Sequence, residues 1–367
     1  MGLAYDIMPT SVHVDVSTSK FSTRKAAHSG DGDVVLNGVM KSENLDDDPG
    51  LAKGKVRNRF RDHLTDLPIL EAEYAQLGAG PANVIARYFF GKDIIITQTA
   101  IEPKFVAHCF IDPDWLGLMI PLRWRGDYVF NGVAANPYDV FVSEGSSGYA
   151  ATGLDRETLS IAVRRAPLCA TMQALRGNSS DPIRFFDQRM ALGATNGPRF
   201  QKVLLSAIRT GTQIVRGEGQ YVLSEAMESN LFDELGYLFL DQLDRGPPRD
   251  PGRIDTLRVV SAAKRALDEQ RLASVSMSDL CAASGVGKTW LHKCFHEAYG
   301  CAPQAYLRAQ RLTAARDRLL CPLAPPALIK EVALSLGFVN FGRFAADYRA
   351  RFGENPSQTL RPQPSCT

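Results

Sequence analysis

Three short clusters in this sequence carry residue types and spacings that could do chemistry. Gly285-Val286-Gly287-Lys288-Thr289 ends like a loop that cradles phosphate with backbone amides and a lysine. The full pattern, GxxxxGK[ST], needs glycine at 282, where Ala282 stands, and an apolar strand before it, where the pattern is helical. A tight turn between two helices accounts for the same glycines. His292 and His296 lie at i and i+4 with Cys294 between them, a spacing that can hold a metal. Cys294, however, falls toward the apolar side of the helix. Arg123-Trp124-Arg125 follows the apolar run GLMIPL and could grip an anionic effector by charge and stacking, or could be an exposed strand edge.

The rest of the chain offers little to a catalyst. There is no GxSxG elbow, and no Cys/His arrangement suggests a nucleophile. A metal site on a β scaffold needs clustered histidines with a carboxylate. Of the six histidines only His63 and His108 lie near strand-like sequence, while His13 and His28 sit in the first thirty residues. The expectation is therefore no enzyme, no catalytic residue, no metal and no cofactor. Seven cysteines, at 109, 169, 281, 294, 301, 321 and 366, are scattered without a CxxC pair, as in a reducing cytoplasm.

The elements that must position these residues divide the chain. With 367 residues, two domains are expected. No apolar run approaches the roughly 18–20 residues that cross a bilayer. The start lacks the flank and apolar stretch of a secretory signal, and Asp6 stands where a myristoylation motif needs Ser or Thr. These features point to a cytoplasmic protein with no membrane partner. Residues 1–60 are rich in Ser, Gly and clustered charge (SENLDDDPG) and read as a disordered tail.

From Asn83 the pattern is strand-like. NVIARYFF, DIIITQTAI, FVAHCFI, LGLMIPLRW, DYVFNG, VFVSEG and TLSIAVRR are short β-branched or aromatic runs punctuated by Gly, Pro, Asn and Asp. They suggest an antiparallel sandwich or small barrel. Arg199–Gln213 and Tyr221–Leu243 then change to helical spacing. The second, with Leu231, Leu235, Leu238 and Leu243, is either a dimerising helix or a core helix. Residues 61–245 thus form a β-rich domain. DQLDRGPPRDPGR follows, and its prolines and glycines place a linker at 246–253.

Charge divides at the same point. The chain has 42 basic and 40 acidic side chains, but 16 and 9 of these lie from Pro251 onward, net +7, leaving 26 and 31, net −5, before it. The overall +2 is a cancellation, and the basic C-terminal part is suited to an anionic partner.

That part reads as all helix over 254–362. Ile254–Gln270 is amphipathic. Ser276-Met277-Ser278-Asp279 offers N-cap residues for a short helix that Gly285 stops, and a second helix runs from Lys288 to Tyr299, closed by Gly300. Ala282 suits a close crossing, with Val286 and Leu291 as plugs. Two short helices around a glycine turn are the helix-turn-helix signature, here over about 277–300. After a long helix, Pro303–Leu319, the grammar returns over about 327–353: Gly337-Phe338 repeats Gly285-Val286 at an offset of 52 residues, and Tyr348-x4-Gly353 echoes Phe295-x4-Gly300. Leu291 aligns with Arg343 or, shifted by one, with Phe344.

These residues resemble the DNA-binding domain of AraC/XylS-type bacterial transcription regulators. Ala333, Gly337-Phe338, Phe344, Tyr348, Phe352-Gly353, Pro356-Ser357 and Leu360 stand where that family has its fixed residues. The resemblance covers about 254–362. It implies an α+β chain: an N-terminal β-rich sandwich or cupin-like domain with helices, which senses an effector and dimerises, and a C-terminal all-α domain of two helix-turn-helix units. It implies a sequence-specific regulator, more usually an activator, with double-stranded DNA, a small-molecule effector, a second copy of the chain and RNA polymerase as partners. In the first unit, Thr289, His292 and Lys293 would face bases, and Lys288 would meet phosphate. The second offers Asn340 as a cap and Phe341, Gly342, Ala345 and Ala346 on its groove face, so it would anchor mainly through Arg343, Arg349 and Arg351 to phosphates. A regulator controlled by a protein partner or by abundance, and an enzyme targeted to DNA by this domain, are the other classes.

Overall fold

A computed structural model describes residues 55–57, 67–145, 148–177, 183–185, 188–211, 215–217, 220–243, 251–264, 272–320 and 328–360. The expected tail, apart from 55–57, and the 246–250 part of the expected linker lie outside these residues.

The N-terminal part is one hydrogen-bonded system of twelve strands among the described residues. In chain order they are β1 (Lys55–Arg57), β2 (Ile69–Gln76), β3 (Asn83–Phe90), β4 (Ile94–Glu102), β5 (Phe105–Ile111), β6 (Trp115–Phe130), β7 (Val133–Ala134), β8 (Asp139–Ser143), β9 (Tyr149–Arg164), β10 (Gln188–Ala191), β11 (Val215–Gly217) and β12 (Gln220–Val222). The long strands β6 and β9 organise it. The second half of β9 pairs with β4, its first half with β5, and β6 runs along its other side. Register shifts in β6 between Pro121 and Tyr128 let this pair bend, as bulges do. One strand thus serves two layers, the fold that alternating short apolar runs foreshadowed.

Three helices cover one face: α1 (Arg165–Leu175), α2 (Gly193–Gly211) and α3 (Glu225–Leu243). Leu168, Met172, Leu204, Ile208, Leu231, Leu235 and Phe239 join Ile94, Ile96, Leu116 and Ile161 in a single core. Leu231 and Leu235 are thus committed inward. The expected helix from Tyr221 is shortened: Gln220–Val222 adds a parallel strand beside Tyr88–Phe90, and the helix begins only at Glu225, where Ser224 Oγ accepts from Met227 N at 3.3 Å. Glu228 holds the neighbouring turn, accepting from Lys92 N at 2.8 Å and Asp93 N at 2.5 Å.

The C-terminal part is helical: α4 (Pro251–Lys264), α5 (Met277–Ser284), α6 (Lys288–Tyr299), α7 (Pro303–Leu320), α8 (Ile329–Ser335), α9 (Phe341–Phe352) and α10 (Pro356–Thr359). The first of these starts at Pro251 rather than 254, because proline's missing N–H and fixed φ suit a first helical turn. Leu280, Leu291, Phe295, Tyr299, Tyr306, Leu312, Ala333, Phe344, Tyr348 and Phe352 form its core. Burying each of these leucines and phenylalanines contributes about 1.5–3 kcal/mol before ordering costs. The same core contains Ala75, Val106 and Ala150 from the sheet.

A cavity of about 70 Å³ lies inside the sheet system. Period-two alternation gives β5 and the start of β9 two faces. Ala107, Cys109, Ile111, Tyr149 and Ala151 line the cavity, while Val106 and Ala150 pack against the helices. His108, between them, has its Nε2 3.5 Å from Ser261 Oγ on α4.

Candidate nucleic-acid interface

Each helix-turn-helix unit is set by local chemistry. Helix α5 opens on a capping box: Ser276 Oγ accepts from Asp279 N at 3.3 Å, and Asp279 Oδ2 accepts from Ser276 N at 2.8 Å. It closes at Gly285, whose φ of +70° is left-handed backbone that favours glycine. In the second unit Gly337 has φ +81°, and a Cβ there would lie 2.6 Å from Ala273 O. Helix α9 opens on Asn340, whose Oδ1 accepts from Arg343 N at 2.9 Å.

Packing fixes the repeat register. Leu291 and Phe344 are both buried, as are Phe295 and Tyr348, so the one-residue shift is the structural match. The Phe338 ring lies 4.9 Å from that of Phe344, tilted against it, and Val286 packs on the same core. Ala282 differs from expectation. It is exposed, while Leu280 on the same helix is buried in the core.

The arginines of α7 tie the units together. Arg308 pairs with Asp347 of α9. Arg311 donates to Leu272 O, Ala273 O and Val275 O at 2.9–3.1 Å. Arg316 reaches Glu354 at 3.2 Å and lies 5.0 Å over the Phe352 ring. These contacts hold two short units at one relative angle, which simultaneous engagement of successive groove segments requires.

On the outer face, Lys288, Thr289 and Lys293 are exposed on α6, and Asn340, Phe341, Gly342 and Arg343 are exposed at the start of α9. Ala346 is exposed too, and Ala345 is half-buried. Lys293 lies 3.7 Å from Glu297 and 4.7 Å over the ring of Trp290. Trp290, 43% exposed beside Thr289, and Val339, 84% exposed, belong to this face and were missed by sequence reasoning. A large apolar side chain left in solvent is the signal that could have found them. His292 turns Nε2 inward, where it is buried without a hydrogen-bond partner among the described residues. Cys294 is buried in the core, so it does not share a surface with the two histidines, and burial pushes its thiol pKa up.

Arg349 is exposed near the end of α9, but Arg351 is not available to phosphate in this arrangement. Its guanidinium donates to Leu77 O on the sheet side, and its own carbonyl accepts from Gly80 N at 2.9 Å and Gln76 Nε2 at 3.0 Å. Burial pulls its pKa down. The neighbouring Gln76 N donates to Thr313 Oγ1 at 3.2 Å, and Tyr74 Oη donates to Asp317. The arginine expected at the DNA thus belongs to the contact between sheet and helices, a long-range pairing that local spacing does not encode.

The triplet Arg123-Trp124-Arg125 is split by strand alternation. Arg123 lies 3.8 Å from Asp155 and from Glu157, Arg125 lies 3.7 Å from Asp155, and Trp124 is buried on the opposite side against Tyr128. None of the three lines the cavity, so they do not form a joint anion grip. Among the described residues no three His, Cys, Asp or Glu side chains converge as a metal site, and no helix is long and apolar enough to cross a membrane.

Comparison with known proteins places this geometry. Residues 280–362 match the family described as helix-turn-helix domain. The XylDLEGF operon transcriptional activator of Pseudomonas putida is 36% identical over 95 residues, covering 26% of this chain and 30% of that protein. The virulence regulon transcriptional activator VirF of Yersinia enterocolitica is 29% identical over 128 residues, 35% of this chain and 42% of that one. The chain therefore matches about 30% of the length of the first of these curated relatives. Among solved structures, a probable AraC family transcriptional regulator from Rhodopseudomonas palustris is 33% identical over 28% of this chain and 98% of that one, with a TM-score of 0.26. ToxT from Vibrio cholerae aligns over 79% of this chain and 96% of its own at 10% identity, with a TM-score of 0.27. The C-terminal part is an AraC-type helix-turn-helix domain.

Proposed function

We propose that this chain is a sequence-specific, DNA-binding transcription activator of the cytoplasm. In this reading residues 61–245 sense an effector and dimerise, 246–250 link, and 251–362, from the start of α4, read DNA. The carrying observation is the pair of helix-turn-helix units joined through α7, which Arg311 ties to Leu272, Ala273 and Val275 ahead of the first unit and which Arg308–Asp347 and Arg316–Glu354 tie to the second, with Lys288, Thr289, Lys293, Arg343 and Arg349 left on the outer face. The net +7 from Pro251 onward supports an anionic partner.

The division of labour follows from side-chain type. Lys293 donates to guanine edges and Thr289 to either partner, while Trp290 supplies apolar contact to a thymine methyl. The second unit has few base-reading donors, so Arg343 and Arg349 hold phosphates and set register. His292 contributes through ring packing rather than Nε2. The likeness to named activators supports activation through contact with RNA polymerase by a DNA-bound dimer. The test is chromatin immunoprecipitation of the native chain followed by binding to base-substituted sites. Enrichment at discrete sites upstream of genes is expected. Uniform genomic occupancy, with no loss on base substitution, would remove the specific-regulator reading.

A further inference from the structure

We infer that the cavity inside the sheet binds a small organic monocarboxylate, gripped by the guanidinium of Arg156. This rests on the reading of the sheet domain as an effector sensor, and it names the effector's chemical class.

Arg156 lines the cavity and is 4% exposed. Its Nη1 donates to Gly153 O at 3.1 Å and Phe105 O at 3.4 Å, and its guanidinium lies 5.7 Å from the centre of the Tyr128 ring. Among the described residues no carboxylate pairs with it. The groups that act on it electrostatically are the phenols of Tyr128 and Tyr149, which burial keeps protonated, and the thiol side chain of Cys109. A buried cation without an anion is costly, and burial accordingly pulls the Arg156 pKa down, yet a guanidinium stays charged. Nε and Nη2 make no hydrogen bond to a described residue, so two parallel N–H donors remain for a fork-shaped acceptor. A carboxylate matches that fork with two charge-assisted bonds.

A second observation points into the same space. Ser143 Oγ lines the cavity, is buried and has no hydrogen-bond partner among the described residues. A ligand oxygen would satisfy it. The remaining wall is largely apolar, with Ile101, Ile111, Leu118, Phe130 and Ile161, so the body of the ligand is hydrocarbon. One cation suits one negative charge. A phosphate dianion would leave its second charge buried and unpaired, and a neutral polyol would leave the guanidinium uncompensated. The cavity of about 70 Å³ holds about five to seven water-sized positions, which suits an acid of about six to ten non-hydrogen atoms.

The test uses the full chain with two matched pairs of probes: hexanoate against hexanamide, and cyclohexanecarboxylate against its amide, followed by calorimetry. At least one acid is expected to bind about 10- to 100-fold more tightly than its amide, the worth of charge-assisted bonds. Arg156→Gln should abolish that preference, and Arg156→Lys, which keeps the charge but loses the fork, should retain part of it. Equal binding of acid and amide, no binding of either acid to the wild-type chain, or an acid preference that survives Arg156→Gln overturns the assignment. The wild-type comparison decides even if a variant does not fold. DNA binding measured on the same samples separates the two readings: intact salt-sensitive DNA binding without acid selectivity sinks the carboxylate site alone, whereas absent DNA binding sinks the regulator.

Discussion

The salt dependence of DNA binding tests the outer face residue by residue. Lys288, Arg343 and Arg349 are exposed and make no ion pair among the described residues, so each is assigned one phosphate. Three neutralised phosphates give a slope of log affinity against log salt of about −2.7 per chain, at roughly 0.9 per contact. Between about 50 and about 200 mM salt the affinity should then fall about 40-fold per chain. Arg349→Ala should reduce the slope to about −1.8 and the loss to about 12-fold. Arg351→Ala should leave the slope unchanged, since that guanidinium is occupied by Leu77 O. Counting Arg351 as a fourth anchor would instead predict about −3.6 and a loss of about 150-fold. Fluorescence anisotropy of a labelled duplex, titrated with the full chain at several salt concentrations, measures all three. A drop of about 0.9 in the Arg351→Ala slope would refute the assignment, because Arg351 would then leave the sheet for phosphate on binding. A flat response of the wild-type chain would refute the DNA face itself.

Three further outcomes follow from the same geometry. Lys293→Ala should cost about 1–3 kcal/mol of discrimination at one base pair, whereas Arg349→Ala weakens all sites alike; equal effects on base-substituted duplexes would contradict the split between units. Gly285→Ala should cost about 1–2 kcal/mol for left-handed backbone alone, since nothing lies within 4 Å of the added Cβ, while Gly337→Ala should cost more because its Cβ would meet Ala273 O at 2.6 Å; urea denaturation of both variants ranks them, and the reverse order would be wrong for this turn geometry. Phe344→Ala should destabilise by about 3–5 kcal/mol, read as a lowered urea midpoint, and a loss under about 1 kcal/mol would mean that Phe344 is not the plug of the second unit.

What was legible in the sequence was short-range. Gly285, Gly300, Gly337 and Gly353 mark turns because their positive φ is a local demand, and the 52-residue echo repeats one packing problem twice. The strand runs were legible because alternation and β-branching are local too. The misread positions depend on distant chain. Arg351 looks like a phosphate anchor until β2 is placed beside it. Arg123 and Arg125 look like an anion grip until Asp155 and Glu157 pair across the strands. Arg156, an ordinary residue in DRETLSIAV, becomes notable only when β9 bends between two layers and encloses it.

The mixed core has a consequence for anyone who would treat the two halves as interchangeable modules. Ala75, Val106 and Ala150 are members of the helical core, and Gln76 is bonded to both Thr313 and Arg351. A cut between 244 and 250 would therefore not produce two closed surfaces. It would uncover apolar faces on both fragments and strand the bonding groups of Gln76, so a chimera that keeps the reader but exchanges the sheet must also carry compatible residues on β2, β5 and β9.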